Sequence, residues 1–293
     1  MHGTDPDTNQ GTDPRLSAQC RLSAPTSNIR LVAIDLDGTL LNSSKRVSDQ
    51  TVEALECLPG KGVRVVIASA RPPRSVRHIY QMLRLDTYQI NYNGALIWDE
   101  PAGRAVFHQP MDCGLVRRMI DRVRGRHPEV LVTCEIMDRW YTDRLDQTYT
   151  TETGRLFKPD VVAPVESFCV EPITKLLFLA PEQTISQIAP MLIAEFKDQV
   201  TVLRTDEQLV QVMDKRVSKS RSLRRVARHY GVAEREIMAI GDAPNDVGML
   251  QMAGVAVAMD NAHAVVKRVA HWIAPSNDDH GVHAALVRYG LCE

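Results

Sequence analysis

Two carboxylates directly behind a four-residue apolar run constrain this chain most: Leu31-Val32-Ala33-Ile34 is followed by Asp35-Leu36-Asp37-Gly38-Thr39-Leu40. Four apolar residues are too few for a helix and match a strand buried on both faces, as in a parallel sheet. Gly38 and Thr39 end the run, so Asp35 and Asp37 fall at the carboxyl end of the strand, the edge where open α/β sheets place their ligands. Two acids that close repel each other, and the arrangement makes sense with a cation or a shared proton between them.

From Ile29 onward, short apolar runs alternate with amphipathic stretches. Strand 30–35 leads to a helix opened by Ser48, with Val52, Leu55 and Leu58 on one face and a stop at Pro59-Gly60. Residues 63–68 read as a second buried strand, and Pro72-Pro73 opens a helix with Val76, Ile79, Tyr80 and Leu83 inward. Residues 88–97 read as a third strand region broken by Asn93-Gly94. Between 98 and 213 the strands turn short and half-exposed, as in 104–108 and 140–143, and helices are expected near 114–126 and 183–197. Strands and helices without strict alternation suggest an α+β module. Helix 219–230, strand 237–241, helix 246–252, strand 254–258 and a short strand near 271–273 restore the α/β rhythm. The expected fold is therefore α/β: a doubly wound parallel-sheet, Rossmann-like core at 29–97 and 214–293, interrupted by an inserted α+β cap at 98–213. Residues 1–28 are polar, repeat Gly-Thr-Asp-Pro at 3–6 and 11–14, and are expected to form a disordered tail.

A net charge of −1 argues against a nucleic-acid binder that works by bulk charge. The cluster Arg221-Ser222-Leu223-Arg224-Arg225 has the spacing of a solvated helix face. Six cysteines, at 20, 57, 113, 134, 169 and 292, lack the short spacings of zinc or redox motifs and read as reduced thiols of a cytoplasmic protein. No apolar stretch approaches the roughly 20 residues of a membrane span, and no basic-then-apolar leader opens the chain. The expectation is a monomer or homodimer acting on a small molecule.

Polar residues follow apolar runs or open helices at four places in the α/β part. These are Asp35 and Asp37, then Ser69, then Lys219 in Val217-Ser218-Lys219-Ser220, then Gly241-Asp242-Ala243-Pro244-Asn245-Asp246 behind Ile237-Met238-Ala239-Ile240. Parallel strands bring such ends to one sheet edge. Carboxylates, an ammonium, a hydroxyl and a glycine turn suit phosphoryl transfer. Carboxylate oxygens are hard ligands for Mg²⁺, a carboxylate can attack phosphorus, and a lysine and a hydroxyl can hold phosphoryl oxygens. A lone Asp-x-Asp is common in loops, a lone Ser usually caps a helix and a lone Lys is usually solvated; the weight lies in the four together.

With these residues in place, the chain resembles the haloacid dehalogenase-like hydrolases, in particular Cof-type phosphatases with a class IIB cap. Asp35-Leu36-Asp37-Gly38-Thr39-Leu40-Leu41 matches the first family motif, Lys219 the third and Gly241 to Asp246 the fourth, and Ser69-Ala70-Arg71 stands where Thr-Gly-Arg is usual. Asn93-Gly94-Ala95 and Asn277-Asp278-Asp279-His280-Gly281-Val282 also look like Cof-type signatures. The resemblance implies a Mg²⁺-dependent phosphatase of a small phosphorylated metabolite, with a sugar phosphate foremost. It implies that Asp35 is the nucleophile and Asp37 the general acid and base. Mg²⁺ would sit on an Asp35 carboxylate oxygen, the Asp37 backbone carbonyl and Asp242, with Asp246 ordering its waters. Leu36 through its backbone, Ser69, Ala70, Lys219 and Asn245 would touch the phosphate. Ala70 in place of glycine should be tolerated if its φ is negative; His280 in place of aspartate receives no role.

Spacing supports the cap independently. Asp37 and Ser69 are 32 residues apart, room for one helix and one strand, whereas Ser69 and Lys219 are 150 apart. A helix, a strand and linkers need about 40 residues, leaving roughly 110 for a cap. Arg71 and Asn93 at the hinge side, and Asp143 or Arg144 within the cap, are its candidate substrate contacts. A phosphomutase with the same cap stays open. A receiver-like phospho-acceptor domain needs no such insertion, and a glycosyltransferase using Asp-x-Asp leaves Lys219 and Asp242 without a task.

Overall fold

The computed structural model describes residues 28–149 and 152–293. Residues 1–27 of the expected tail lie outside them. In the first α/β segment, β1 (Leu31–Ile34) leads through α1 (Asp49–Cys57) to β2 (Arg64–Ile67) and α2 (Pro73–Met82). Next come β3 (Tyr88–Asn91), β4 (Leu96–Asp99) and β5 (Arg104–His108). The inserted part runs α3 (Cys113–Arg124), β6 (Leu131–Ile136), β7 (Arg139–Thr142), α4 (Glu152–Leu156), β8 (Val161–Val162), α5 (Val165–Phe168), β9 (Lys175–Leu179), α6 (Glu182–Phe196), β10 (Val200–Asp206) and β11 (Leu209–Asp214). The chain then returns through α7 (Lys219–His229), β12 (Ile237–Gly241), α8 (Val247–Met252), β13 (Val255–Met259), α9 (Ala264–Lys267), β14 (Trp272–Ala274) and α10 (Gly281–Arg288).

The core sheet has the order β14-β13-β12-β1-β2 and is parallel throughout. β1, β12 and β13 are buried at every position, as continuous apolar runs covered on both faces must be. From β1 the chain first steps to β2 on one side and later to β12, β13 and β14 on the other. The winding direction thus reverses beside β1, and the crevice at such a reversal is where an open α/β sheet holds its ligand. Val76, Ile79, Tyr80 and Leu83 face inward from α2 and its end, as the pattern predicts.

The expected strand region 88–97 is two antiparallel strands. The chain reverses at Tyr92, Asn93 and Gly94, with φ of 49°, 57° and 101°. Ser69 N–H donates to the Ile90 carbonyl at 2.8 Å, which fastens β3 beside the end of β2. β5 pairs with β4 in the same three-stranded sheet, and Phe107 packs on the core cluster.

The second core runs from Met111 to Val212. Its sheet, β10-β11-β9-β6-β7-β8, is antiparallel apart from the β7–β8 pair. Val132, Cys134, Leu176 and Phe178 lie in one cluster with the apolar stripes of α3 and α6. The alternate residues of β6 and β9 point to the opposite face. There Leu131, Thr133, Glu135, Lys175, Leu177 and Leu179 line a cavity of about 690 Å³ that also touches Asp37, Ala70 and Arg71.

Candidate active site

Asp35 leaves β1 with its N–H bonded to the Ile240 carbonyl, 3.0 Å away, so the carboxyl ends of β1 and β12 are level. The loop after it folds tightly back, with Leu40 N–H donating to the Asp35 carbonyl at 3.2 Å and Leu41 N–H to the Leu36 carbonyl at 2.9 Å. Gly38 permits this: its φ is +79°, and a Cβ there would come within 2.5 Å of Asp242 Oδ2. Thr39 donates its hydroxyl to Asp242 Oδ1 at 2.7 Å and so ties the loop to the β12 turn.

Hydrogen bonds from Lys219, Thr39 and the β12 turn hold these carboxylates in place. Lys219, 1% exposed at the start of α7, bonds Asp35 Oδ1 and lies 2.7 Å from Asp246 Oδ1. Asp246 Oδ2 accepts the N–H groups of Asp242 and Ala243 at 3.2 and 3.0 Å. Both oxygens of Asp246 are therefore engaged, which makes it a brace for Lys219 and the turn. The carboxyls of Asp35 and Asp242 lie close enough to hydrogen-bond to each other when one of them is protonated.

Oxygens of Asp35, Asp242 and Asp246 lie within 4.8 Å of one another. Burial pushes the Asp35 carboxyl well above the usual range, and the Asp246 charge adds to this against the pull of Lys219. Asp242 is also raised, by burial first and, against the Thr39 hydrogen bond, by the Asp246 charge. Lys219 is raised as well: burial disfavours its charge, but Asp35 and Asp246 outweigh that and keep it protonated. Three carboxylates against one ammonium leave an excess of negative charge that a small divalent cation would neutralise. The donor set, hard carboxylate oxygens only, fits such an ion.

Asp37 stands apart from this cluster. Its side chain is 34% exposed and is gripped by Arg71, Nε to Oδ2 at 2.6 Å and Nη2 to Oδ1 at 2.5 Å, and by Lys45 Nζ at 2.8 Å. Burial alone would raise its pKa, but the hydrogen bonds and charges of Arg71 and Lys45 outweigh burial and lower it. Ser69 is buried, its hydroxyl accepting from Arg71 N–H at 3.1 Å. Ala70 is not among the residues of positive φ, so its methyl is accommodated without backbone strain. Asn245 donates to Asn93 Oδ1 at 2.8 Å and bridges the β12 turn to the β3–β4 reversal.

The remaining candidates separate. Arg144 lines the cavity, whereas Asp143 is held by Arg124 and Arg144 and does not. Sequence reasoning missed the grip of Lys45 on Asp37, the Thr39 tie, and Asn261, which donates to the Gly38 carbonyl at 2.8 Å. It also missed a buried relay at the joint. Arg74 of α2 binds both oxygens of Glu135 at 2.7 and 2.9 Å, and the Tyr92 hydroxyl, donating to the Met137 carbonyl at 2.7 Å, stands 3.1 Å from Glu135.

Gly94 positions Lys219 indirectly. Its φ is +101°, and a Cβ would stand 2.4 Å from the Ser218 carbonyl oxygen, which is backbone and cannot move aside. Gly94→Ala is expected to destabilise the protein by about 2 kcal/mol or more, from left-handed strain plus the clash. Urea denaturation of the pair of proteins measures it; an unchanged midpoint would mean that the reversal adjusts freely.

A doubly wound core that gathers carboxylates at its switch point beneath an inserted α+β layer is the architecture of a capped hydrolase. The sequence model of the haloacid dehalogenase-like hydrolases matches residues 32–286, and this chain belongs to that family. The 5-amino-6-(5-phospho-D-ribitylamino)uracil phosphatase YitU of Bacillus subtilis is 28% identical over 268 residues, 88% of this chain and 97% of that protein. A haloacid dehalogenase-like hydrolase from Bacteroides thetaiotaomicron superposes with a TM-score of 0.80 at 26% identity, covering 89% of this chain and 99% of that one. The subclass IIB sugar phosphatase BT4131 superposes with a TM-score of 0.74 at 20% identity, over 89% of this chain and 99% of its own, a likeness of fold alone.

Proposed function

We propose that this chain is a Mg²⁺-dependent phosphomonoesterase that hydrolyses a small phosphorylated metabolite through an aspartyl-phosphate on Asp35. The observation that carries the reading is the buried Asp35–Lys219–Asp246 assembly beside Asp242, with Asp37, two residues on from Asp35, on the wall of the cavity. Ionised, Asp35 supplies a carboxylate oxygen that can attack phosphorus. Lys219 holds Asp35 in place and offers fixed positive charge to the phosphoryl oxygens, with the Ser69 hydroxyl, the backbone of Leu36 and Ala70, and the Asn245 amide around them. Asp35, Asp242 and the Asp37 backbone carbonyl would hold Mg²⁺, and Asp246 braces that set. Bound there, Mg²⁺ supplies charge that offsets the carboxylates and the incoming phosphate.

A sugar-like leaving group is supported by the relative named for a phospho-D-ribityl substrate. The inserted part, about residues 111–212, is the part that selects the substrate, since its strands and loops supply most of the cavity wall. Neither nucleic acid nor membrane enters this reading. No helix among the described residues is long and apolar enough to cross a membrane, and the five described cysteines are free, in keeping with a reducing cytoplasm.

The test is a panel of phosphorylated metabolites with Mg²⁺, read as released inorganic phosphate, with p-nitrophenyl phosphate as reference. Excess chelator is expected to stop turnover, Mg²⁺ to restore it and Ca²⁺ to do so poorly, because Ca²⁺ favours looser, higher coordination. Full activity in chelator would contradict the metal assignment.

A further inference from the structure

The cavity wall is ordered by strand register. β6 and β9 pair so that Glu135 faces Lys175, Thr133 faces Leu177 and Leu131 faces Leu179, three rungs whose side chains all line the cavity. The Glu135–Lys175 rung lies nearest the core, because Arg74 and Tyr92 reach Glu135 from there. Each step of two residues is about 7 Å along the strands, which puts the leucine rung roughly 13 Å beyond the charged one.

Lys175 is the unexplained member. It is 9% exposed, and that remainder faces the cavity it lines. Its side chain makes no hydrogen bond or close ion pair among the described residues. Glu135, its rung partner, is already served by two bonds from Arg74. An ammonium carries three donors and is costly to bury without acceptors. Burial accordingly pulls Lys175 down to about 8, against the attraction of Glu135. Natural structures rarely leave such a group unserved unless a ligand serves it.

We propose that Lys175 reads the substrate: its ammonium takes a hydroxyl or carbonyl oxygen of the leaving group, and the leucine rung beyond holds that group's apolar or planar end. The inference rests on the phosphatase reading and deepens it. Tyr149 and Phe157 join Leu131, Leu177 and Leu179 on the cavity wall, which suits a ring face. A plain hexose phosphate would set hydroxyls against these leucines, where they lose water and gain no partner. The class is therefore a phosphomonoester with a polar spacer and an apolar or planar terminus.

Flavin mononucleotide has this build, with a polyol spacer and a flat ring; glucose 6-phosphate has only the polar part, and acetyl phosphate has the smallest leaving group of the three. With full-length protein and Mg²⁺, kcat/KM for flavin mononucleotide is expected to exceed that for glucose 6-phosphate at least tenfold. Lys175→Met should lower it by 10- to 100-fold, chiefly through KM, leave acetyl phosphate within threefold and leave the melting temperature equal or higher. Lys175→Gln, which keeps an N–H donor, should recover part of the loss. Equal losses on flavin mononucleotide and acetyl phosphate, a lower melting temperature, or no loss at all would overturn the proposal and make Lys175 a structural counter-ion. Turnover of acetyl phosphate with glucose 6-phosphate preferred over flavin mononucleotide would overturn the substrate class alone. No turnover of any of the three would overturn the phosphatase reading itself.

Discussion

Asp35→Asn is expected to abolish turnover, by about four orders of magnitude or more, the scale seen when a nucleophile is removed, while the protein stays folded. The amide is nearly isosteric but is a poor nucleophile and a weak ligand for a hard cation. Folding should survive because burial and the Asp246 charge already disfavour the ionised form of Asp35. A neutral amide removes one of three mutually repelling carboxylates, while Lys219 retains Asp246 as its partner. Two measurements separate the outcomes: phosphate release, and the melting temperature in the presence of chelator. Retention of more than about a hundredth of the activity would remove Asp35 from the nucleophile's role. Loss of activity together with a collapsed melting temperature would show that Asp35 holds the core rather than attacks.

The parts of this site that are legible in the sequence are those whose neighbours along the chain dictate their position. Asp35, Ser69 and Asp242 each follow a run of apolar residues that can only be a buried strand, so the sheet edge assembles them whatever the loops do. The grip on Asp37 is different. Lys45 sits in a polar loop with nothing around it to mark it, and its reach to Asp37 depends on a backbone turn with φ of 57°. The cap strands hid for another reason. β6 and β9 do not stand out because one face meets α3 and α6 while the other lines the cavity, and Leu131, Leu177 and Leu179 on the cavity face blur the two-residue alternation. β5 read as part of the insertion because it is half-exposed. A turn closed by Gly103 N–H to the Glu100 carbonyl at 3.2 Å instead returns it to β4. Among the described residues, α10 also went unforeseen, since it begins at Gly281 behind a left-handed His280 with no side-chain cap.

Asp37→Ala provides the sharper division of labour. On the proposed mechanism Asp37 protonates the departing oxygen and later activates water, so its loss should hurt in proportion to how badly the leaving group needs a proton. A sugar alkoxide needs one, and transfer should slow by the 10²–10⁴-fold typical of acid–base catalysis. p-Nitrophenolate is a stable anion near neutral pH, so transfer from p-nitrophenyl phosphate should slow much less. Water attack on the aspartyl-phosphate still lacks its base, and rapid mixing should show a burst of p-nitrophenol of up to about one per site, then slow turnover. The structure adds a condition. Arg71 and Lys45 hold Asp37 as an ionised, acceptor-only carboxylate, a form ready to serve as base but not as acid. For Asp37 to carry the proton forward, those two cations must first exchange it for the substrate, and a doubly charged phosphate is the stronger partner for an arginine fork. Arg71→Ala should then raise KM for phosphomonoesters while weakening the hold on Asp37. Equal losses for both leaving groups in Asp37→Ala, without a burst, would mean that Asp37 serves to anchor Arg71 and Lys45 and that the acid and base reside elsewhere.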